Sequence, residues 1–453
     1  MRATAIARKT RFKSSRIPLF ALGMLLACLA IFAGCSPATV PDGIGGSSDS
    51  PSAKTEAPKE PESEATPSAP EPEPEPTLED QVVEIVSAMT LEEKVAQMFI
   101  VTPEMITGVD TATQAGPATE SALGAYPVGG IAYFQKNLID PDQTKTMIAN
   151  TQAYAKEATG LPLFIAVDEE GGTVRRIAGN PGFDVEDAGD MAAIGATGDA
   201  SQACEAATTI GSYLIELGFN LDFAPDSDIC GDPQTDVMAQ RSFGTDPDLV
   251  ASMVQAQVEG FGSAGILCCA KHFPGIGGVM GDSHEGAIVS NKTLDELRAW
   301  ELKPFEAAIA ADVPFVMVGH LSLPTALGTD APASINSAVV TDLLRNELGY
   351  TGIIITDAME MGAIGEFCTA DQAGVAAIEA GVDIVLMPSE FPAAYQGVID
   401  AVNDGRIAES RIDESVERIV GTKLSYLGDQ EKDRPSRRTG GSRSMYASRT
   451  PRR

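Results

Sequence analysis

Residues 266–284 read ILCCAKHFPGIGGVMGDSH. The first five are apolar and of strand type, and the chain turns polar at once with Lys271 and His272. The same kind of short apolar run recurs along the chain. It appears at 98–101 (MFIV), 130–134 (GIAYF), 163–167 (LFIAV), 219–223 (FNLDF), 315–318 (FVMV), 352–355 (GIII) and 384–387 (IVLM), which with 266–270 makes eight candidate strands. Amphipathic helical stretches separate most of them, at 142–158, 203–217, 247–263, 294–311, 338–348 and 370–380, and a closing helix is expected over 413–427. Capping boxes, in which a Thr and a Glu three residues on satisfy each other's backbone N–H groups, mark helix starts at Thr90–Glu93 and Thr293–Glu296. Strand and helix alternating eight times predict an α/β fold of the TIM type, a (β/α)8 barrel forming a single catalytic domain over 78–428. The competing architecture is an open doubly wound sheet, which would carry a Gly-rich phosphate turn after its first strand; that turn is missing.

In a barrel of this kind chemistry gathers at the C-terminal strand ends. Those ends collect Asp168 and Glu169 with Gly171 and Gly172, then Asp226 and Asp228, Lys271 and His272, His320, and Asp357. All three histidines of the chain, His272, His284 and His320, fall at or just beyond a strand end. Gly275, Gly277, Gly278 and Gly281 allow the backbone to double back and carry Asp282 and His284 over the mouth that Lys271 lines. A carboxylate beside an imidazole orients the ring and stabilises its protonated form, which a proton donor near neutral pH requires. Asp357 follows GIIIT directly and is expected to project into the mouth, although an Asp there can also be an N-cap of the following AMEMGA segment. A proton donor and a carboxylate are the two groups that glycosidic cleavage needs. Asp168, Arg176, Arg241, Lys271 and His272 are donors and acceptors suited to sugar hydroxyls. The alternative for 271–284 is a solvated glycine-rich loop with incidental charges.

The two ends of the 453-residue chain read differently from its middle. Residues 1–16 carry only positive charges, and 17–33 form an apolar run ending in FAGC, so 1–35 is expected to be a lipoprotein signal peptide with Cys35 as the lipidated residue. Cys28, in LLAC, is a second candidate. Residues 36–77 are Pro, Glu, Ser, Ala and Gly with almost nothing to bury, a disordered tether that reaches on the order of 100 Å if extended. Residues 429–453 have no periodicity and are strongly basic, and are expected to be a disordered tail. The protein is thus expected outside the cytoplasm, held at the membrane through a lipid anchor. A formal charge of −32 argues against a nucleic-acid partner. The five cysteines beyond the signal region show no disulfide-scaffold spacing, and neither a CxxC pair nor HExxH is present, so no metal and no cofactor is expected. A monomer is expected.

Five motifs together carry a resemblance: VDEEGGTVRR (167–176), QRSFG (240–244), KHFPG (271–275) with the later DSH (282–284), VGH (318–320) and GIIITDAMEM (352–361). With these, residues 78–427 resemble the single-domain β-N-acetylhexosaminidases of glycoside hydrolase family 3. The resemblance implies Asp357 as nucleophile, His284 as acid and base, Asp282 as that histidine's partner, and Asp168, Arg176, Arg241, Lys271 and His272 as sugar-binding residues. It implies retaining hydrolysis of terminal non-reducing β-N-acetylglucosamine, for which peptidoglycan fragments are the nearest source outside the membrane. One position departs from the pattern: Ile276 stands where the family usually has a histidine. A β-glucosidase of the family would usually take its acid from an added domain, a role the DSH pair fills here. A phosphorylase using phosphate in place of water, and a sugar-binding lipoprotein without turnover, are the remaining alternatives.

Overall fold

The computed structural model describes residues 76–427 except 233, 235 and 280–287. Cys35, Asp282 and His284, the signal peptide, nearly all of the tether and the basic tail lie outside the described residues. All eight expected strands are present: β1 (Phe99–Val101), β2 (Gly130–Ala132), β3 (Phe164–Val167), β4 (Leu221–Asp222), β5 (Leu267–Phe273), β6 (Phe315–Val318), β7 (Ile353–Thr356) and β8 (Val385–Leu386). Each pairs in parallel with the next, from Ile100 against Gly130 round to Thr356 against Val318. β8 returns to β1 through Phe99 against Val385. Between β7 and β8 the ring closes on one parallel bridge, Ile355 with Ile384. There Thr356, fully buried, takes the backbone N–H of Leu386 on its hydroxyl at 3.0 Å. The result is the eight-stranded barrel and not the open sheet, so the strand ends converge on one mouth.

The barrel interior is packed. Phe164 of β3 and Phe315 of β6 meet edge to face with ring centroids 5.2 Å apart, a contact that strands three apart in the ring can make only across its interior. Gly130 of β2 has to be glycine here, since a Cβ would sit 2.6 Å from the Phe164 carbonyl oxygen. Lys423 of the closing helix lays its ammonium 5.1 Å from the centre of the Phe164 ring.

The helices follow the expected periodicity with three differences. The stretch 294–311 is two helices, Leu294–Ala299 and Leu302–Ala310. Pro304 explains the break: it has no N–H to give the Trp300 carbonyl, and it is tolerated only in the first turn of a new helix. Residues Ala338–Glu347 wind with wider turns, and the N–H of Leu348 reaches the carbonyl of Leu343, five residues back, at 2.9 Å. The closing helix begins earlier than expected, at Glu409, and ends at Leu427. Helices Leu78–Ala88, Pro117–Ala125 and Phe391–Asn403 are additional. The first starts on a capping box, Thr77 with Asp80, and its Val82 lies against Gly421 of the closing helix.

Candidate active site

The sequence fixes the site's position through the polar residue that follows each apolar strand. Asp168 follows β3, Asp226 and Asp228 follow β4, Lys271 and His272 end β5, His320 follows β6 and Asp357 follows β7. Around them lies a cavity of about 270 Å³, and Asp168, Arg176, Arg241, Lys271, His272 and Asp357 all line it. Its outer wall is apolar, from Phe134, Val237, Ile276, Ile288 and Met361. All five residues expected to bind sugar and the expected nucleophile therefore share one site.

A row of alternating charges holds these groups in place. Lys271 reaches Asp168 at 2.7 Å and Glu170 at 2.6 Å. Glu170 in turn takes two hydrogen bonds from Arg241, from Nε at 2.7 Å and from a terminal nitrogen at 2.8 Å. Arg241 lies 3.4 Å from Asp226. Burial pushes the Glu170 carboxyl up, but Arg241 and Lys271 override it and hold the group well below the usual carboxylate range. Burial likewise opposes the charge of Lys271, yet Asp168 and Glu170 together keep it above the ordinary lysine value. Asp226 has the opposite balance, since burial and the neighbouring Asp228 raise it to about 7.

His272 is oriented by Asp228, which accepts from Nδ1 at 2.7 Å and also takes the backbone N–H of Ile276 at 2.6 Å. Burial opposes protonation of the ring, but Asp228 and then Asp357 raise its pKa above the ordinary value, which favours the protonated form beside the cavity. Lys271 and His272 are joined by a cis peptide bond. Ile276, at the position that departs from the family pattern, packs into the wall and is 9 % exposed. His320 does not face a free space: its Nε2–H donates to the carbonyl of Ala358 at 2.9 Å, and Nδ1 lies 2.8 Å from the Ser334 hydroxyl. It thereby pins the backbone one residue beyond Asp357. Asp357 itself accepts from the N–H of Ala358 at 2.7 Å. Burial raises its carboxyl, and the His272 and His320 rings bring it below the ordinary value. It is not an N-cap, because the next helix starts at Gly362 behind Met361.

One residue of the site, Glu170, was not singled out from the sequence; it joins Lys271 to Arg241. Asp228 was placed at a strand end, but its hold on His272 was not read. Glu170 was legible from the period-2 rule, since a strand continuing past Asp168 puts 168 and 170 on one face and 169 on the other. Asp226, Asp228 and His272 offer ligand atoms within 4.8 Å of one another. Asp228 is already committed to His272 and the Ile276 N–H, and the Arg241 guanidinium supplies the positive charge beside Asp226, so the donor set does not fit a further cation.

The Arg176 side chain arrives on a tight hairpin, Glu169–Gly171 against Val174–Arg175. Gly171 and Gly172 turn it with φ of 92° and 59°, and a Cβ on Gly172 would meet Asp190 at 2.5 Å, so neither position accepts another residue without strain.

Comparison with known proteins agrees with this geometry. The family described as Glycosyl hydrolase family 3 N terminal domain matches residues 90–422. Beta-hexosaminidase LpqI of Mycobacterium tuberculosis is 32 % identical over 411 residues, covering 89 % of this chain and 96 % of that protein. Beta-hexosaminidase A of Pseudoalteromonas piscicida is 33 % identical over 332 residues, and the match spans 68 % of this chain but 55 % of the relative. Among solved structures, a glycoside hydrolase family 3 beta-N-acetylglucosaminidase from Paenibacillus sp. superimposes with a TM-score of 0.70 at 37 % identity, covering 80 % of this chain and 66 % of the other. With the barrel, the charged row and the strand-end carboxylate in place, and the family match spanning most of the described residues, this chain belongs to glycosyl hydrolase family 3.

Proposed function

We propose that the protein removes terminal non-reducing β-N-acetylglucosamine residues by retaining hydrolysis, with Asp357 forming a covalent glycosyl ester. The observation that carries this is the state of Asp357. It stands at the end of β7 on the wall of a sugar-sized cavity, held ionised by the rings beside it, as a nucleophilic carboxylate must be. The relatives named as hexosaminidases support the N-acetylated sugar. Asp168, Lys271, Arg241, Arg176 and His272 hold the hydroxyls, and the fixed ion pairs mean that they are oriented before the sugar arrives.

His284 is the proton donor and later the base, with Asp282 as its partner. Supporting this, Ile276 and Ile288, which flank the pair in sequence, both line the cavity. His284 is four residues from Ile288, a span of at most about 14 Å. In the first step Asp357 attacks the anomeric carbon as His284 protonates the departing oxygen; in the second, His284 takes a proton from water, which attacks the same carbon and releases Asp357.

The basic start, apolar run and FAGC of residues 1–35 support an extracytoplasmic lipoprotein, and peptidoglycan fragments as its substrate. Among the described residues no helix is long and apolar enough to cross a membrane. The decisive test is a fluorinated N-acetylglucosaminide trap followed by peptide mass analysis. The label belongs on Asp357; a label elsewhere, or an inverted product by NMR, refutes the assignment.

A further inference from the structure

Glu169 is fully buried and turned away from the cavity, yet its carboxylate governs how a cavity residue is presented. The backbone N–H of Glu169 donates to Asp222 of β4 at 2.9 Å, which ties this position to the barrel. Four donors then converge on the side chain. Oε2 accepts the backbone N–H groups of Arg176 and, at 2.8 Å, of Ile177. Oε1 accepts the N–H of Ala178 at 2.8 Å and the hydroxyl of Tyr213, on helix Ala200–Leu217, at 2.8 Å. The strand-like alternation that sends Glu170 into the cavity sends Glu169 behind it, where it collects the N–H groups of three consecutive residues.

The first of those three is Arg176, which differs from the other cations of the site. Lys271 and Arg241 are fixed by carboxylates, whereas no carboxylate among the described residues pairs with Arg176. Its Nε is buried without a hydrogen-bond partner, and its guanidinium lies 5.8 Å from the centre of the Phe134 ring. Its direction is therefore set by its own backbone and one aromatic face, and that backbone is held by Glu169. We propose that Glu169, supported by Tyr213, is a positioning residue that aims Arg176 into the sugar cavity. This rests on the reading that Arg176 contacts the sugar.

Glutamine tests it with little change of shape. An amide presents one oxygen and one NH2, so with the oxygen toward Arg176 and Ile177 its NH2 opposes the Ala178 N–H. Tyr213 can turn to accept, but at least one backbone donor is stranded whichever way the amide points. A carboxylate that merely kept this loop folded would show in thermal stability and leave substrate affinity alone; one that aims Arg176 acts on KM and only through Arg176.

The experiment is a double-mutant cycle on the full chain, E169Q with R176A, using a nitrophenyl β-N-acetylglucosaminide. E169Q is expected to raise KM by about tenfold with kcat changed by less than about threefold. In the R176A background it should add almost nothing. If E169Q lowers kcat/KM by the same factor in both backgrounds, the positioning role is overturned while the sugar-binding role of Arg176 stands. If R176A leaves KM unchanged, both fall. Should E169Q fail to fold, Tyr213→Phe in the same cycle decides: the carboxylate then keeps its three N–H donors but loses its lateral support, and a KM rise of about two- to threefold that vanishes with R176A is expected.

Discussion

Replacing Lys423 with methionine should stabilise the protein at neutral pH and destabilise it in alkali. The side chain is fully buried, and among the described residues its ammonium meets a single oxygen, Gln97 Oε1 at 2.7 Å, and no carboxylate. Burial alone pushes its pKa down from 10.5 to about 7. Between those values the unfolded chain holds the proton more tightly than the folded one, so stability rises with pH across that window. At roughly 1.4 kcal/mol per pH unit, the buried lysine costs about 4 kcal/mol at pH 7, about 2 kcal/mol at pH 9 and nothing above 10.5. Methionine removes this cost and keeps a sulfur against the Phe164 ring, but it strands the Gln97 oxygen at about 1–3 kcal/mol. The variant should gain about 1–3 kcal/mol at pH 7, be near neutral at about pH 9, and lose stability beyond it. Urea unfolding followed through Trp300, the chain's one tryptophan, measures both limbs. A variant that is less stable than the parent by the same amount at every pH would show that Lys423 keeps its ordinary pKa and is well accommodated as an ammonium, and would refute the reasoning.

Other outcomes follow from the site. Glu170→Gln leaves Lys271 and Arg241 sharing one fewer carboxylate, and kcat/KM should fall about 100-fold, mainly through KM, with circular dichroism unchanged. His284→Ala should slow cleavage of a disaccharide about 10²- to 10⁴-fold but a nitrophenyl glycoside far less, with azide restoring turnover; equal losses on both substrates would make His284 a binding residue. Cys35→Ala should leave the protein unprocessed or released from membranes, and persistent labelling by a palmitate analogue would contradict this.

The barrel was legible because its strands are buried on both faces and most of them read as short apolar runs, from FIV at 99–101 to VL at 385–386, with Asp222 as the main interruption. Helix Phe391–Asn403 was equally readable, with Phe391, Ala394, Tyr395 and Val398 buried at helical spacing, and was missed because the closing helix already completed the count. Lys423 and Gln97 could not be paired from the sequence: they lie 326 positions apart, and nothing local distinguishes a buried lysine on an amphipathic helix from an exposed one. The described strand-end residues converge on one cavity as expected, but the pairings among them were not legible. Asp228 and His272 are 44 residues apart, and only the barrel's neighbouring strands bring them within 2.7 Å.

The same partnerships explain why so many ions surround a site for an uncharged sugar. Glu170 lies between Lys271 and Arg241 and Asp168 pairs with Lys271, so two carboxylates face two cations, the ions largely cancel, and what faces the cavity is a set of fixed donors and acceptors. Fixing them before binding removes an ordering cost of about 0.5–1.5 kcal/mol for each long side chain that the sugar would otherwise have to immobilise. Two groups stand outside this cancellation. Asp357 lies outside the chain of ion pairs: burial raises its carboxyl, and the His272 and His320 rings bring it below the ordinary value, as the proposed nucleophile requires. Arg176 has no carboxylate partner among the described residues, and behind it stand the Phe134 ring and the loop that Glu169 holds. A site built this way should tolerate conservative change least where two ions share one partner, at Glu170, and should lose affinity without losing chemistry where one ion depends on its backbone, at Glu169.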